Sequence, residues 1–276
     1  MKKMDKLMNN PNLWHLRDHI FGFLNHETVE NCRQVSQLWN ESLERISIVI
    51  FLQEFGNRNV VTPDEKVSTI IPGWQKAAKK YGAQASIEDL REVKNSLQRL
   101  ALGNDWCWSE PVHIAAKEGA VKLIKFVLET SYDMNARNNI GWTPLHLACE
   151  YGKTEIVQLI IQSSKDFGID LNAKDNDSEN FECTALHHAC INGKTETVQM
   201  IIRSSKDFDI DLNAKNNDGW TPFHYASYFG QTKTVQMMIQ SSKDFGIDLN
   251  AKDNGGWTAL HRACEYGRTE TAQLII

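Results

Sequence analysis

A short motif that returns five times in the second half of the chain constrains its fold more than any other feature. The copies are Glu110-Pro111-Val112-His113, Thr143-Pro144-Leu145-His146, Thr184-Ala185-Leu186-His187, Thr221-Pro222-Phe223-His224 and Thr258-Ala259-Leu260-His261. Successive copies begin 33, 41, 37 and 37 residues apart, and the longer spacings follow extra residues that begin at Ser163, Ser204 and Ser241. A period of this length is typical of repeat proteins, in which each unit buries its apolar face only against its neighbours.

Each unit carries the sequence signals of two helices. In the second copy, Thr143 is suited to cap a helix, because its side chain can accept a backbone N–H, and Pro144 fits the first helical position. Gly152 is suited to end that helix in a left-handed cap. Apolar residues such as Ile156 and Ile160 then recur at helical spacing. The repeat therefore predicts a first helix, a short turn and a second helix.

The Thr-x-Leu/Phe-His motif, together with a recurring Leu-Asn-Ala-Lys segment, resembles the ankyrin-repeat family closely. The resemblance implies an all-α solenoid of helix pairs with projecting β-turn fingers, which binds other proteins through the fingers and the first helices. We expect these repeats over residues 104–276, as four full copies and a truncated fifth. The expectation of truncation rests on Ile276, which ends the sequence inside a second helix.

The same resemblance indicates where a target protein would bind. The family's variable positions lie at the fingertips and just before the glycine that closes each first helix. The target-binding candidates at these positions are Trp142, Tyr151, Trp220, Tyr228, Phe229, Trp257 and Tyr266. Aromatic residues are enriched in binding hot spots. The alternative is that the tryptophans are ordinary turn residues that pack on the adjacent finger.

Residues 9–50 form a different helical unit. Ile20-Phe21-Gly22-Phe23-Leu24, followed by Val35 and Trp39 at their present distances, resembles an F-box, although Ser36 stands where that family usually has cysteine. The resemblance implies docking onto the Skp adaptor of a cullin–RING ubiquitin ligase. The contact candidates carried over from it are Leu13, Leu16, Ile20, Phe21, Val35 and Trp39. The alternative is a generic helical cap in which these residues are core.

Residues 51–103 link the two parts. The segments 74–81 and 87–100 both show the apolar spacing of amphipathic helices, and Ser86 is suited to cap the second. Pro63 and Pro72-Gly73 mark breaks before them. We expect this helical linker to pack on the first repeat rather than to act as a flexible tether.

Composition and motif searches argue against several other classes of protein. The net charge of −5 gives no electrostatic reason to bind nucleic acid, and no apolar stretch approaches the 20 or so residues that span a membrane. Phosphate-binding loops, nucleophile elbows and zinc-protease motifs are absent from the sequence. No Cys-x-x-Cys pair occurs, and Cys149, Cys190 and Cys264 share one repeat position that predicts small core residues. We therefore predict no catalysis, no metal and no cofactor.

Taken with the two resemblances, these observations predict a protein-interaction adaptor. The leading hypothesis is a substrate receptor of an SCF-type cullin–RING ubiquitin ligase, in which the F-box docks the Skp adaptor and the repeats bind an unknown target. Two alternatives stay open: an ankyrin scaffold with no role in ubiquitin ligation, and a pathogen or symbiont effector that uses the same modules. The expected compartment is the cytoplasm or the nucleus, because no signal peptide is recognisable at the N-terminus.

Overall fold

The computed structural model describes residues 41–42, 44–49, 52, 74–102, 111–130, 132–138, 140–176 and 182–276. Twelve helices with defined ends lie in this part of the chain, and they follow one another in pairs. They are α1 (Trp74–Gln84), α2 (Ile87–Leu102), α3 (Pro111–Glu118), α4 (Val121–Leu128), α5 (Pro144–Glu150), α6 (Thr154–Phe167), α7 (Ala185–Ile191), α8 (Thr195–Phe208), α9 (Pro222–Tyr228), α10 (Thr232–Phe245), α11 (Ala259–Glu265) and α12 (Thr269–Ile275). The predicted all-α fold class is confirmed for the described residues.

The five repeats stack so that like helices lie on like helices. The first helices α3, α5, α7, α9 and α11 form one row, and the second helices α4, α6, α8, α10 and α12 form the other. Fully buried side chains such as Ile156, Phe223 and Val235 fill the space between the rows. One core cluster runs through the stack, because each layer completes its core only against its neighbours.

The second helices of three repeats are extended at their C-terminal ends. Helices α6, α8 and α10 each contain 14 residues, whereas α4 contains eight. Their last turns carry the extra residues that lengthen the repeat period. Each of the three helices ends at a residue in the left-handed region, namely Gly168, Asp209 and Gly246.

The helices predicted between residues 51 and 103 pack directly on the first repeat. Helix α2 lies against both α3 and α4, and α1 lies against α4. Leu90, Val93 and Leu97 of α2 are fully buried. The Ser86 hydroxyl accepts the Asp89 N–H at 3.1 Å, which provides the predicted cap of α2. This helix pair therefore forms a layer beside the repeats.

A helical segment at residues 44–49 is attached to this layer by two arginines. The Arg45 guanidinium donates to the Gly82 carbonyl near the end of α1 at 2.6 Å. Arg91 of α2 donates to Glu44 through two nitrogens, at 2.6 and 2.7 Å. Polar contacts between distant parts of the chain thus add to the apolar contacts of the buried layer.

The fingers that join successive repeats lie very close together. Gly141 has φ 75°, and a Cβ atom built on it would lie 2.5 Å from the Asn176 nitrogen of the next finger. Positive φ and this close approach both require glycine here. The described residues contain one isolated antiparallel β-bridge, between Lys174 and Thr184 at the third finger. Within the same residues, no helix has the length and apolar character needed to cross a membrane.

Candidate protein-binding surface

In the first four repeats, the histidine of the repeated motif attaches the first helix to the following finger. In the third repeat, His187 Nδ1 accepts the Thr184 N–H at 3.0 Å, which closes a capping box at the start of α7. Because Nδ1 is an acceptor, Nε2 carries the proton and donates to the Trp220 carbonyl at 3.1 Å. Burial lowers the pKa of His187 to about 3, so the ring is neutral. His146 and His224 make the same pair of contacts.

An Asp or Asn side chain in each of three fingers orients one residue of the adjoining first helix. The pairs are Asp175 with His188, Asn216 with Tyr225, and Asp253 with Arg262. In the last pair, Asp253 Oδ1 accepts the Trp257 N–H at 2.9 Å, while Oδ2 accepts from Arg262 Nε at 3.0 Å. The finger side chain therefore fixes its own turn and the helix residue Arg262 at the same time.

Five of the predicted target-binding residues lie together on the fourth and fifth repeats. They are Trp220, Tyr228, Phe229, Trp257 and Tyr266, and we call them the aromatic surface. Tyr228 lies at the centre, with its ring centroid 5.2 Å from that of Trp220 and 4.8 Å from that of Phe229. The Tyr266 ring of the next repeat lies 4.2 Å from Tyr228.

Arg262 connects the two tryptophans of the aromatic surface. Its guanidinium carbon lies 4.7 Å from the Trp220 ring centroid and 4.9 Å from that of Trp257, which are distances of cation–π contacts. The same guanidinium donates to Asp253 and, at 2.9 Å, to Glu265. The positive charge is therefore neutralised locally, and the flat group separates the two rings.

Three members of the aromatic surface are open to solvent. Phe229, Trp257 and Tyr266 are 41%, 40% and 45% exposed, whereas Trp220 and Tyr228 are half-buried beneath them. Large aromatic groups exposed side by side are typical of sites that bind another protein. Phe229 and Tyr266 both contact the half-buried Tyr228 ring, and Arg262 lies over Trp257, so the surface is largely formed before a partner binds.

The two remaining target-binding candidates lie apart from this surface, in the second repeat. The Trp142 ring is half-buried and lies 4.2 Å from the His188 ring of the third repeat, as a turn residue that packs on its neighbour would. Tyr151 is 45% exposed, and Lys117 Nζ lies 5.3 Å from its ring centroid. The structure brings five of the seven candidates together and leaves these two separate.

Sequence reasoning missed the residues that the fingers orient, namely His188, Tyr225 and Arg262. A regular signal was present, because Tyr225 and Arg262 each follow the Asn or Asp of their finger by nine residues. For His188 the interval is thirteen, because four further residues lengthen the third finger. A search restricted to aromatic residues at the variable positions does not find His188, Tyr225 and Arg262, because they lie at other positions of the repeat.

The six predicted Skp-adaptor contacts all lie outside the described residues. They are Leu13, Leu16, Ile20, Phe21, Val35 and Trp39. Their placement, like the division of the chain at residues 50 and 103, stays a prediction.

The cysteines of the repeats differ in their surroundings. Cys149 and Cys190 are fully buried, and burial raises the pKa of both thiols. Cys264, predicted as a small core residue like them, is exposed. It lies in the last described repeat, where no further first helix packs on α11. The described residues contain no group of three or more histidine, cysteine or acidic side chains placed to hold a metal ion.

Comparison with known proteins agrees with this architecture. The protein-family profile described as "Ankyrin repeats (3 copies)" matches three overlapping segments, residues 77–175, 168–253 and 210–276. The first match begins inside α1, upstream of residue 104, where we expected the repeats to start. A search of curated proteins found no significant match.

Proposed function

The chain belongs to the ankyrin-repeat family, and from this premise we propose that it is a protein-interaction adaptor that captures a target on the aromatic surface. Ankyrin repeats are typically non-catalytic binding modules. The observation that carries the proposal is the contiguity of five aromatic rings with Arg262, three of the rings being exposed. Trp, Tyr and Arg are the residues most enriched in binding hot spots.

The packing of this surface favours tight binding. Rings that are already held by neighbours lose little conformational freedom when a partner binds. The entropy cost of ordering these side chains is therefore small, and more of the interaction energy contributes to affinity. Arg262 donates to Asp253 and Glu265, so its positive charge stays paired when a target protein covers it. A target that buries the exposed rings would therefore gain apolar contact without leaving an unpaired charge.

A comparison of variants in cells that express the protein tests target capture. Phe229→Ala with Tyr266→Ala removes two exposed rings, and Phe167→Ala removes a ring that is 46% exposed at the end of α6. We expect the double variant to lose a defined set of proximity-labelled proteins by about tenfold, the effect of roughly 1.4 kcal/mol. The matched Phe167→Ala control should retain that set. Equal recovery of the labelled proteins with the wild type, the double variant and the Phe167→Ala control would contradict capture on the aromatic surface.

We further propose that the adaptor is a substrate receptor of an SCF-type ubiquitin ligase in the cytoplasm or nucleus. The support is the F-box resemblance of residues 9–50. Docking there would hold the ligase and the captured target in one complex. The resulting increase in effective concentration around the target's lysines is the proposed mechanism.

Binding of the full chain to purified Skp adaptor tests this second proposal. We expect submicromolar binding that is lost in Phe21→Ala with Trp39→Ala, with the repeats still folded by hydrogen exchange. The aromatic-surface variant Phe229→Ala with Tyr266→Ala should bind Skp normally, which separates the two interactions. No binding at tens of micromolar would leave an ankyrin scaffold without a role in ubiquitin ligation.

A further inference from the structure

His188 of α7 lies between carboxylates that belong to different parts of the stack. Its Nε2 is 2.7 Å from Asp175 Oδ2 of the third finger, and its Nδ1 is 3.4 Å from Glu150 Oε2 of the second repeat. The side chain is only 8% exposed. An ionised carboxylate has no proton to donate, so an attractive contact at each ring nitrogen requires that nitrogen to carry a proton. The geometry therefore fits an imidazolium ion rather than a neutral ring.

Both carboxylates are held in place by further hydrogen bonds. Asp175 Oδ1 accepts the Cys183 N–H at 2.8 Å. Glu150 Oε2 accepts from the Asn192 amide at 2.6 Å. The two acceptors thus stay directed at His188 whether or not the ring is charged.

The other titratable groups around His188, Asp175 and Glu150 make hydrogen bonds or ion pairs with other partners. His146 of α5, whose ring lies 5.6 Å from that of His188, and His187 of α7 both accept a backbone N–H and are neutral. Arg137 donates to the Lys174 carbonyl, and the Lys174 ammonium pairs with Glu182 at 3.6 Å. None of these groups supplies a second proton-binding site between the two carboxylates.

We propose that His188, Asp175 and Glu150 form a pH-sensitive latch between the second and third repeats. When His188 is protonated, it binds α5 and the third finger together. When it loses the proton, one carboxylate faces a nitrogen that no longer donates, and that contact opens. The latch does not rest on the proposed function.

The direction of the effect follows from the surroundings of the ring. Burial by itself lowers the pKa of His188, but the hydrogen bonds to Asp175 and Glu150 outweigh burial and raise it above the ordinary 6.5. A pKa that is higher in the folded state gives stabilisation that is complete below pH 6.5 and is lost as pH rises through the folded-state pKa. The contribution of His188 to the contact between the second and third repeats is therefore complete in mild acid and is lost toward alkaline pH.

Side-chain NMR titration of the full chain tests the first part of this proposal. The His188 signal is the one that disappears in His188→Gln. We expect His188 to titrate above the ordinary pKa of 6.5. A midpoint at or below 6.5 would overturn the latch. In Glu150→Gln, which keeps the bond to Asp175, the His188 midpoint should move down.

Hydrogen exchange tests whether protonation of His188 stabilises the contact between the second and third repeats. After correction for intrinsic rates, amides of residues 182–192 should lose about tenfold more protection between pH 6 and pH 9 in the wild type than in His188→Gln, as about 1.4 kcal/mol requires. In His188→Gln the protection should not fall over this range, because the neutral motif histidines His146 and His187 make stability rise with pH. The same pH profile in both proteins would overturn the proposal. If His188→Gln does not fold, Glu150→Gln, whose altered side chain is partly exposed, provides the comparison, and an unchanged profile there would also overturn it.

Discussion

Asp209 occupies a left-handed backbone position that glycine fills in two other repeats. It ends α8 with φ 52°, whereas Gly168 and Gly246 end α6 and α10 with φ 62° and 71°. A side chain at such a position is strained, although Asp tolerates it better than most residues. The substitution is thus a local cost that the regular stack of repeats accommodates.

Replacing Asp209 by glycine should therefore stabilise the protein. We expect the free energy of unfolding to rise by roughly 0.5–1 kcal/mol, because the left-handed conformation costs glycine little. Urea denaturation measures this change. The reciprocal variant Gly168→Asp, where a Cβ atom would meet nothing within 4 Å, should lose stability from backbone strain alone. A destabilised Asp209→Gly protein would show that the side chain makes a compensating contact.

The neutral motif histidines predict a dependence on pH that opposes the latch. Burial lowers the pKa of His146 and His187 to about 3, so in the folded state both stay neutral below pH 6.5 while the unfolded chain takes up protons. Each should lower the free energy of unfolding by up to about 1.4 kcal/mol per pH unit below that point. Urea denaturation between pH 7 and 5 in the His188→Gln background isolates this effect. A flat profile would contradict neutral motif histidines.

Successive loops between repeats are joined by a series of asparagine side chains. Asn172 donates its amide to the Asp209 carbonyl at 2.9 Å and accepts the Asp211 N–H at 2.8 Å. Asn135 and Asn213 make the same two bonds one repeat before and after. These bonds set the spacing of the loops, which apolar packing between helices does not specify.

Removing one of these asparagines should weaken the connection between neighbouring elements. We expect Asn172→Ala to cost about 1–2 kcal/mol, because two backbone groups lose their partners. Faster hydrogen exchange of the Asp211 amide would locate the effect at the following loop. The matched control is Asn250→Ala, since Asn250 makes no such bond to a following loop within the described residues. Equal losses for both variants would contradict the proposed role.

At the scale of the molecule, the described chain is a series of layers whose stability depends on nearest neighbours. Helices α1 and α2 take part in this series, because Leu97 and the other buried residues of α2 belong to the same core cluster as the repeats. The aromatic surface lies at the other end of the series, on the fourth and fifth repeats. Perturbations at one end should therefore weaken with distance along the stack.

Leu97→Ala tests this dependence on neighbours. We expect a loss of about 2–5 kcal/mol from a fully buried site, since the substitution removes apolar contacts and leaves a cavity. Hydrogen exchange should accelerate in α3 and α4 and much less in α11 and α12. Acceleration confined to α2 would show that the N-terminal helix pair is an independent unit.

Helix starts and ends were predicted best where one residue decides the local backbone. Pro144 begins α5, and Gly152 follows that helix with φ 65°, as their conformational preferences require. The position of Cys264 was predicted less well. Repeat register places it with two buried cysteines, but burial depends on which layer lies next to it. Local rules fix the backbone, whereas exposure is a property of the stack.

The sequence by itself determined the repeat period, the helix pairs and the positions from which aromatic side chains project, because turns and caps act over a few residues. Only the tertiary structure decided which of those side chains meet. Tyr228 and Tyr266 come into contact because one repeat stacks on the next, and the same stacking sets Glu150 beside His188. Contacts across about 40 residues depend on the rotation and spacing of whole layers, which no local pattern encodes.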